Sequence, residues 1–376
     1  MSILINPDNL KMKEHLESEC FFDKSMMIST LNRQLGTNMS FFCITRPDGF
    51  GKTFDLDMLS AYYSIGCDSR QLFKGLEIEK DPSFEEHLNR HHVIRINMKE
   101  ELERFIKRKN PIRAFELSLI ENLEREYGID AHFDRVSNLI YHICRRNHIF
   151  FVVLIDDWDA VFLDERCTQE IETSYYCLLY CLFKSLGICS CFNLVYMTGL
   201  YPIPKTTSQS GLNNFREITM LRPYRFTEYS GFTKEEVRSL CKKYHVDETE
   251  MESWYGGYRY EKTELFHCSS VLERIHGVPF GNHLSNEKNL KYIKEFIKND
   301  IDGIQESLQQ LLNGENVRIN TRSFDNTPKI LKGKDETLTA LVHLGYLAYD
   351  DDTEKCHIPN LEAKESLKRL MNQSNI

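Results

Sequence analysis

The sequence predicts an α/β protein: a three-layer core built on a parallel sheet, followed by a mainly helical C-terminal region. Three observations carry this prediction. Residues 149–155 (Ile-Phe-Phe-Val-Val-Leu-Ile) are apolar and rich in branched side chains without alternation, as a strand covered on both faces reads. Short apolar runs alternate with helix-period segments over roughly the first 200 residues, which is the signature of a layered α/β domain. After Glu228 helix-like segments dominate and strand candidates become few.

The elements follow in order. Residues 39–45 (Met-Ser-Phe-Phe-Cys-Ile-Thr) form an apolar run that stops at Pro47-Asp48-Gly49, a strand followed by a turn. From Lys52 the pattern becomes helical, with Phe54, Met58, Leu59, Tyr62 and Tyr63 expected on one side. His92–Met98 alternates like a strand, and helices are expected over 111–127 and 132–146. After the strand at 149–155 come a helix at 168–186, a strand at 193–197 and a weaker strand near 218–221. Cys189 and Cys191 fit the alternation of a strand. Beyond the core, helices are read at 233–244, 248–255, 289–312 and 335–347. These give three expected domains: a core over 1–230, a helical lid over 231–285 and a helical C-terminal domain over 286–376. Asp350-Asp351-Asp352 reads as a solvated turn, and the last few residues as a frayed end.

Composition narrows the function. Apolar residues make up 41% of the 376 residues and charged residues 27%, which is ordinary globular usage and argues against disorder or a coiled coil. Forty-seven basic against 56 acidic residues give a net charge of −9, which speaks against a protein that coats nucleic acid, although a local basic groove stays open. The first residues lack a signal-peptide pattern, and no apolar run is long enough for a membrane helix, so a cytoplasmic protein without membrane contact is expected. Twelve cysteines occur without a CxxC pair, which reads as reduced, buried thiols.

The first chemical motif is the strand-to-helix turn Arg46-Pro47-Asp48-Gly49-Phe50-Gly51-Lys52-Thr53. Backbone amides at a helix N-terminus point at anions, and the helix dipole adds positive potential. Pro47 to Thr53 are therefore the candidate nucleotide-binding loop. Lys52 would reach the β- and γ-phosphates and assist catalysis, and Thr53 would bind Mg²⁺ through its hydroxyl. Arg46 stands where the GxxxxGK[ST] pattern has its first Gly, so the strict pattern fails. A bare Gly-Lys-Ser/Thr triplet arises by chance in roughly one chain in five of this length, so its weight comes from its place between a strand and a helix. The second motif is Leu154-Ile155-Asp156-Asp157-Trp158-Asp159, a buried strand ending in carboxylates. Asp156 is the candidate Mg²⁺ ligand and Asp157 the candidate to polarise attacking water. Ligands of such sheets bind outside the carboxyl ends of the strands, where both motifs point. The bland alternative is a solvated acidic turn after a core strand.

These motifs and their surroundings resemble the bacterial AAA-ATPase-like family, a P-loop ATPase module often followed by a PD-(D/E)XK nuclease-like domain. The resemblance covers about residues 20–361. It rests on Phe22-Asp23-Lys24-Ser25, on Thr45-Arg46-Pro47 with Phe50-Gly51-Lys52-Thr53, and on Leu154 to Asp159. It continues through Thr198-Gly199, Ser210-Gly211-Leu212-Asn213-Asn214, Gly231 to Val237, Trp254 to Arg259, Gly345-Tyr346-Leu347 and Ile358-Pro359-Asn360. It implies a P-loop NTPase that uses ATP and Mg²⁺.

The chain departs from the family at three places. The family's Arg-Arg is Asp48-Gly49 here, and an Asp within about 4 Å of a phosphate would cost on the order of a few kcal/mol if its side chain faced it. The family's catalytic Glu is Asp157, one methylene shorter; a displacement of about 1 Å can cost on the order of 100-fold in rate. Pro202 stands at the place of an Arg that would sense the γ-phosphate, while Lys205 is kept. Slow hydrolysis is expected; the alternative is a catalytically degenerate nucleotide-binding, scaffold or regulatory module. A protein partner or a second copy of the chain is an expected associate.

Other residues read more plainly. Asp351 with Glu362-Ala363-Lys364 imitates a metal-nuclease pattern, but on an expected helix with no room for a nuclease core. Trp254, Tyr255, Tyr258 and Tyr260 with Arg259 suit a packed lid better than base stacking. His91-His92 lacks metal-ligand spacing. Asn213 and Asn214 fit loop caps and nucleotide contacts equally well.

Overall fold

A computed structural model describes residues 3–185, 187–205, 211–260, 262–284 and 290–374. Ser210, the expected boundary at 285–286 and the last two residues lie outside the described residues. The chain divides into two compact units. One comprises Met1–Ile44, Thr53–Gly199 and Thr207–Glu217; the other comprises Thr45–Lys52, Leu200–Thr206 and Ile218–Ile376.

The first unit is organised by a six-stranded sheet. Its strands are β1 (Ile3–Ile5), β2 (Phe41–Thr45), β3 (His92–Asn97), β4 (Phe151–Asp156), β5 (Phe192–Gly199) and β6 (Arg216–Ile218), in the order β1-β3-β4-β5-β2-β6. β3, β4 and β5 pair in parallel, and β1 closes one edge antiparallel to β3. Every residue of β2 and β4 is buried, as their apolar runs up to Thr45 and Asp156 demand. Helices Pro111–Tyr127, Val136–Asn147 and Gln169–Phe183 provide the crossovers and cover the sheet. The helix over 111–127 falls where the sequence places it: Asn110 caps it by accepting from the Arg113 amide, Pro111 occupies its first turn, and Gly128 ends it in a left-handed conformation.

Three local expectations are corrected. Cys189–Cys191 is a 3-10 turn leading into β5, because its thiols and hydroxyl bond back to carbonyls of the preceding helix end and its loop. Helix Lys52–Tyr63 is buried almost all round instead of on one face; Asp55, Asp57 and Ser60 are buried with Leu56, Met58 and Leu59. Asp57 is tolerated there because Arg95 pairs with it at 2.5 Å and His15 reaches it at 2.8 Å. Cys177 and Cys181 are exposed, and all twelve cysteines are free.

The second unit is mainly helical, yet it holds two small sheets that the sequence did not announce. β7 (Phe232–Thr233), β8 (Tyr258–Tyr260) and β9 (Thr263–Phe266) form one antiparallel sheet in the order β7-β9-β8. β10 (Val317–Arg318), β11 (Ala348–Asp350) and β12 (Lys355–His357) form another in the order β10-β12-β11. These strands have two to four residues, too few for an alternating pattern to emerge. Thr233 begins helix Lys234–Tyr244 with a reciprocal capping box to Glu236.

Candidate functional site

Within the first unit, β4 ends in Asp156, which is 3% exposed. One carboxylate oxygen accepts from the Thr53 hydroxyl at 2.9 Å, and the other accepts from the Thr198 hydroxyl at 2.9 Å. The Asp157 amide adds a third contact at 3.1 Å. All three partners are neutral, so the hydrogen bonds orient the buried charge without cancelling it. Thr53 comes from the start of helix Lys52–Tyr63 and Thr198 from β5, the strand beside β4. The structure thus brings together Thr53 and Asp156, both candidates from the sequence, with Thr198, which the sequence treated only as part of a motif.

Asp157 adopts a left-handed backbone, φ +49°, and is half-buried. That conformation starts a turn in which the Ala160 amide bonds the Asp157 carbonyl at 2.9 Å. Trp158 behind it is fully buried, and Tyr175 donates to the Trp158 carbonyl at 2.8 Å. Gly199 lies so close to this turn that a Cβ there would stand 2.5 Å from Asp159 Oδ1.

The phosphate-loop candidate from Pro47 to Lys52 belongs to the second unit, and Thr53 to the first. Arg46 is fully buried, and its guanidinium donates to the Thr45 carbonyl at 2.9 Å and the Ile218 carbonyl at 3.3 Å. It therefore serves as a strut beneath the loop. Gly49 and Gly51 take φ +80° and +86°, which only glycine adopts readily. A Cβ on Gly51 would meet no atom within 4 Å. The Ser269 amide donates to the Gly49 carbonyl at 3.2 Å and the Gly231 amide to the Phe50 carbonyl at 3.0 Å. In a trans peptide the N–H opposes the C=O, so fixing these carbonyls turns the Phe50 and Gly51 amides the other way. Among the described residues, the amides of Gly49, Phe50 and Gly51 have no hydrogen-bond acceptor. Successive unaccepted amides of this kind make an anion-binding concavity.

Lys52 is 7% exposed. Its ammonium donates to the Arg46 carbonyl at 2.9 Å, the Pro47 carbonyl at 3.1 Å and Asp48 Oδ1 at 3.2 Å. The Asp48 carboxylate is thus directed at the loop lysine, and the departure from the family's Arg-Arg becomes an ion pair within the loop.

The remaining candidates fall outside these groups. Lys205 donates to the Phe324 carbonyl at 2.8 Å, so its ammonium ties two segments of the second unit together. Asn213 accepts from Lys184, and Asn214 donates to the Phe183 carbonyl at 2.7 Å; both tie down the loop before β6. Tyr255 and Tyr258 are fully buried and cannot stack bases. Burial lowers His91 to about 4, which makes it a neutral packing residue. Among the described residues no group of His, Cys, Asp and Glu has a metal-binding arrangement, and no helix is long and apolar enough to cross a membrane.

A mostly parallel sheet covered by helices, with strand β4 ending in a buried carboxylate, is an α/β fold of the P-loop kind. The chain belongs to the AAA-ATPase-like family, described as "Predicted AAA-ATPase", whose sequence profile matches residues 12–208. No curated protein matches it. Among solved structures it is similar to a Walker-type ATPase of Pyrococcus abyssi, at 12% identity and a TM-score of 0.41 over 92% of this chain and 96% of that one. It is also similar to Cdc6p from Pyrobaculum aerophilum, at 11% identity and a TM-score of 0.35 over 94% and 92% of the two chains. A third similarity is to PCH-2 of C. elegans, at 12% identity and a TM-score of 0.23 over 60% and 47%.

Proposed function

We propose that this protein binds ATP with Mg²⁺ and hydrolyses it slowly. The observation that carries this reading is the Asp156 carboxylate, buried, fixed by the Thr53 and Thr198 hydroxyls and surrounded by neutral donors. Hard oxygen donors of this kind suit Mg²⁺, with Thr53 and Asp156 as the residues that hold it. The metal, when bound, supplies charge neutralisation for the phosphates. The chain's own contributions are the Gly49, Phe50 and Gly51 amides and the Lys52 ammonium toward phosphate oxygens, and Asp157 toward the attacking water. Asp157 is one methylene shorter than the Glu the family carries, so its carboxylate reaches less far, which supports slow turnover.

A second reading, a nucleotide-gated regulatory module with little turnover, is favoured by the Asp48–Lys52 ion pair. Phosphate must displace Asp48 to engage the lysine. Calorimetric titration with ATP·Mg²⁺, comparing the wild type with Lys52→Ala and Asp156→Asn, tests the binding common to both readings. Absence of a binding isotherm for the wild type ends both. Steady-state turnover of the binding-competent protein then separates them.

A further inference from the structure

His267 carries an arrangement that nothing in the motif series announces. It precedes helix Cys268–Ile275, is 4% exposed, and caps that helix by accepting from the Ser270 amide at 3.2 Å through Nδ1. Its other ring nitrogen, Nε2, lies 2.8 Å from the Asp48 carbonyl oxygen. A carbonyl only accepts, so Nε2 carries the hydrogen. Ser270 Oγ lies 2.8 Å from Nδ1 and 2.7 Å from Glu362 Oε1. Glu362 is fully buried at the start of helix Leu361–Ser374, and its Oε1 also accepts from the His283 amide at 2.8 Å. The loop carbonyl thus accepts from His267, His267 accepts from the Ser270 amide, and the Ser270 hydroxyl donates to a buried carboxyl.

With the anchors already described, three consecutive loop carbonyls are held by this unit: Asp48 by His267, Gly49 by Ser269 and Phe50 by Gly231. The imidazole also fixes the loop sterically. A Cβ on Gly49 would stand 2.5 Å from its Cε1, and the Phe50 ring packs edge-on against it at 5.3 Å. Holding the Asp48 carbonyl turns the Gly49 amide away, completing the row of three outward amides. We propose that His267 is a positioning residue of the phosphate loop, with its tautomer set by the Asp48 carbonyl at Nε2 and the Ser270 amide at Nδ1 and its ring backed by the Ser270–Glu362 pair, and that it presents the Gly49 amide to a nucleotide phosphate. This rests on the nucleotide-binding reading.

Two substitutions separate the loop anchor from the helix cap. His267→Asn keeps a side-chain oxygen for the Ser270 amide but falls short of the Asp48 carbonyl. His267→Gln places an N–H donor at about the reach of Nε2 but makes a poorer cap. In the full-length protein, His267→Asn is expected to weaken ATP·Mg²⁺ binding by roughly tenfold, the effect of one well-placed hydrogen bond. Hydrogen exchange at the Gly231 and Ser269 amides, which bond the loop carbonyls, should speed up by a similar factor while the melting temperature stays near the wild-type value. His267→Gln should recover most of both. Ser270→Ala, which keeps the ring but removes the hydroxyl behind it, should give a smaller loss in both, about threefold.

Wild-type exchange and affinity in His267→Asn overturn the proposal, as does His267→Gln performing no better than Asn. If His267→Asn does not fold, Ser270→Ala decides, and wild-type behaviour there overturns the role of the Ser270–Glu362 pair. If the wild type binds no ATP·Mg²⁺ but His267→Asn still loosens the Gly231 and Ser269 amides, the nucleotide reading fails and the anchoring of the loop stands.

Discussion

Asp156 and Lys52 are both buried charges, and the protein satisfies them in opposite ways. Around Asp156 the donors are two hydroxyls and an amide, which fix the carboxylate and leave its charge to be balanced by a cation. Around Lys52 the acceptors are two carbonyls of its own loop and the Asp48 carboxylate, which balance its charge locally. In the proposed site the first group takes a ligand of opposite sign. The second already contains one. The comparison shows how a chain can keep the residues of a nucleotide motif while one added carboxylate changes what binding must overcome.

The strongest way to break the comparison is to remove each charge. Lys52→Ala and Asp156→Asn should each reduce ATP·Mg²⁺ affinity by roughly 100-fold or more, since charge-assisted hydrogen bonds are the strong ones. Equilibrium titration that finds either variant binding as the wild type does would remove that residue from the site. Asp157→Glu sharpens the picture next. If carboxylate reach limits turnover, single-turnover measurements should show a rise on the order of 10- to 100-fold. An unchanged rate points to the regulatory reading. Asp48→Ala isolates the loop's internal ion pair. Because Asp48 is half-exposed, the gain in ATP affinity should be modest, about three- to tenfold, and should shrink with added salt.

The two glycines of the loop offer a subtler contrast. Gly51→Ala adds a methyl where the protein has no atom within 4 Å, so stability should fall only by the left-handed strain, about 1 kcal/mol, while phosphate binding is lost. Gly49→Ala drives its methyl into His267 and should cost more stability, roughly 2–3 kcal/mol. Equal melting temperatures for the two variants would contradict the His267 contact.

The smallest effect is in pH. Burial lowers His267 to about 4 from its ordinary 6.5, so its contribution to stability is present above about 6.5 and lost as the pH falls toward 4. Burial raises Glu362 to about 7 from 4.5, so its contribution is present below 4.5 and lost as the pH rises toward 7. Between about pH 4.5 and 6.5 the two slopes oppose each other. Glu362→Gln removes one of them, and its melting temperature should climb more steeply with pH over that range than that of the wild type.

Much of the first unit was legible in the sequence because its elements are long and covered. The continuous apolar run that becomes β4 and the asparagine, proline and glycine that bound helix Pro111–Tyr127 are local signals with local causes. The two carboxylates at the end of β4 and the hydroxyl after Lys52 were readable for the same reason. The small sheets of the second unit were not, because a strand of two residues has no period and exists only where a partner supplies its hydrogen bonds.

The sequence by itself determined the parallel core and the family, and it supplied Pro47 to Thr53, Asp156 and Asp157 as the candidates of the proposed site, since each is written in contiguous residues. Only the tertiary structure decided how the loop's chemistry is set. It turned Asp48 onto Lys52, hid Arg46 beneath the loop, and brought His267, Ser270 and Glu362 together behind it. The physical reason is range: backbone period and turn preference act over a few residues, whereas Asp48 and His267 are 219 residues apart, Ser270 and Glu362 are 92 apart, and they meet only once the second unit has packed.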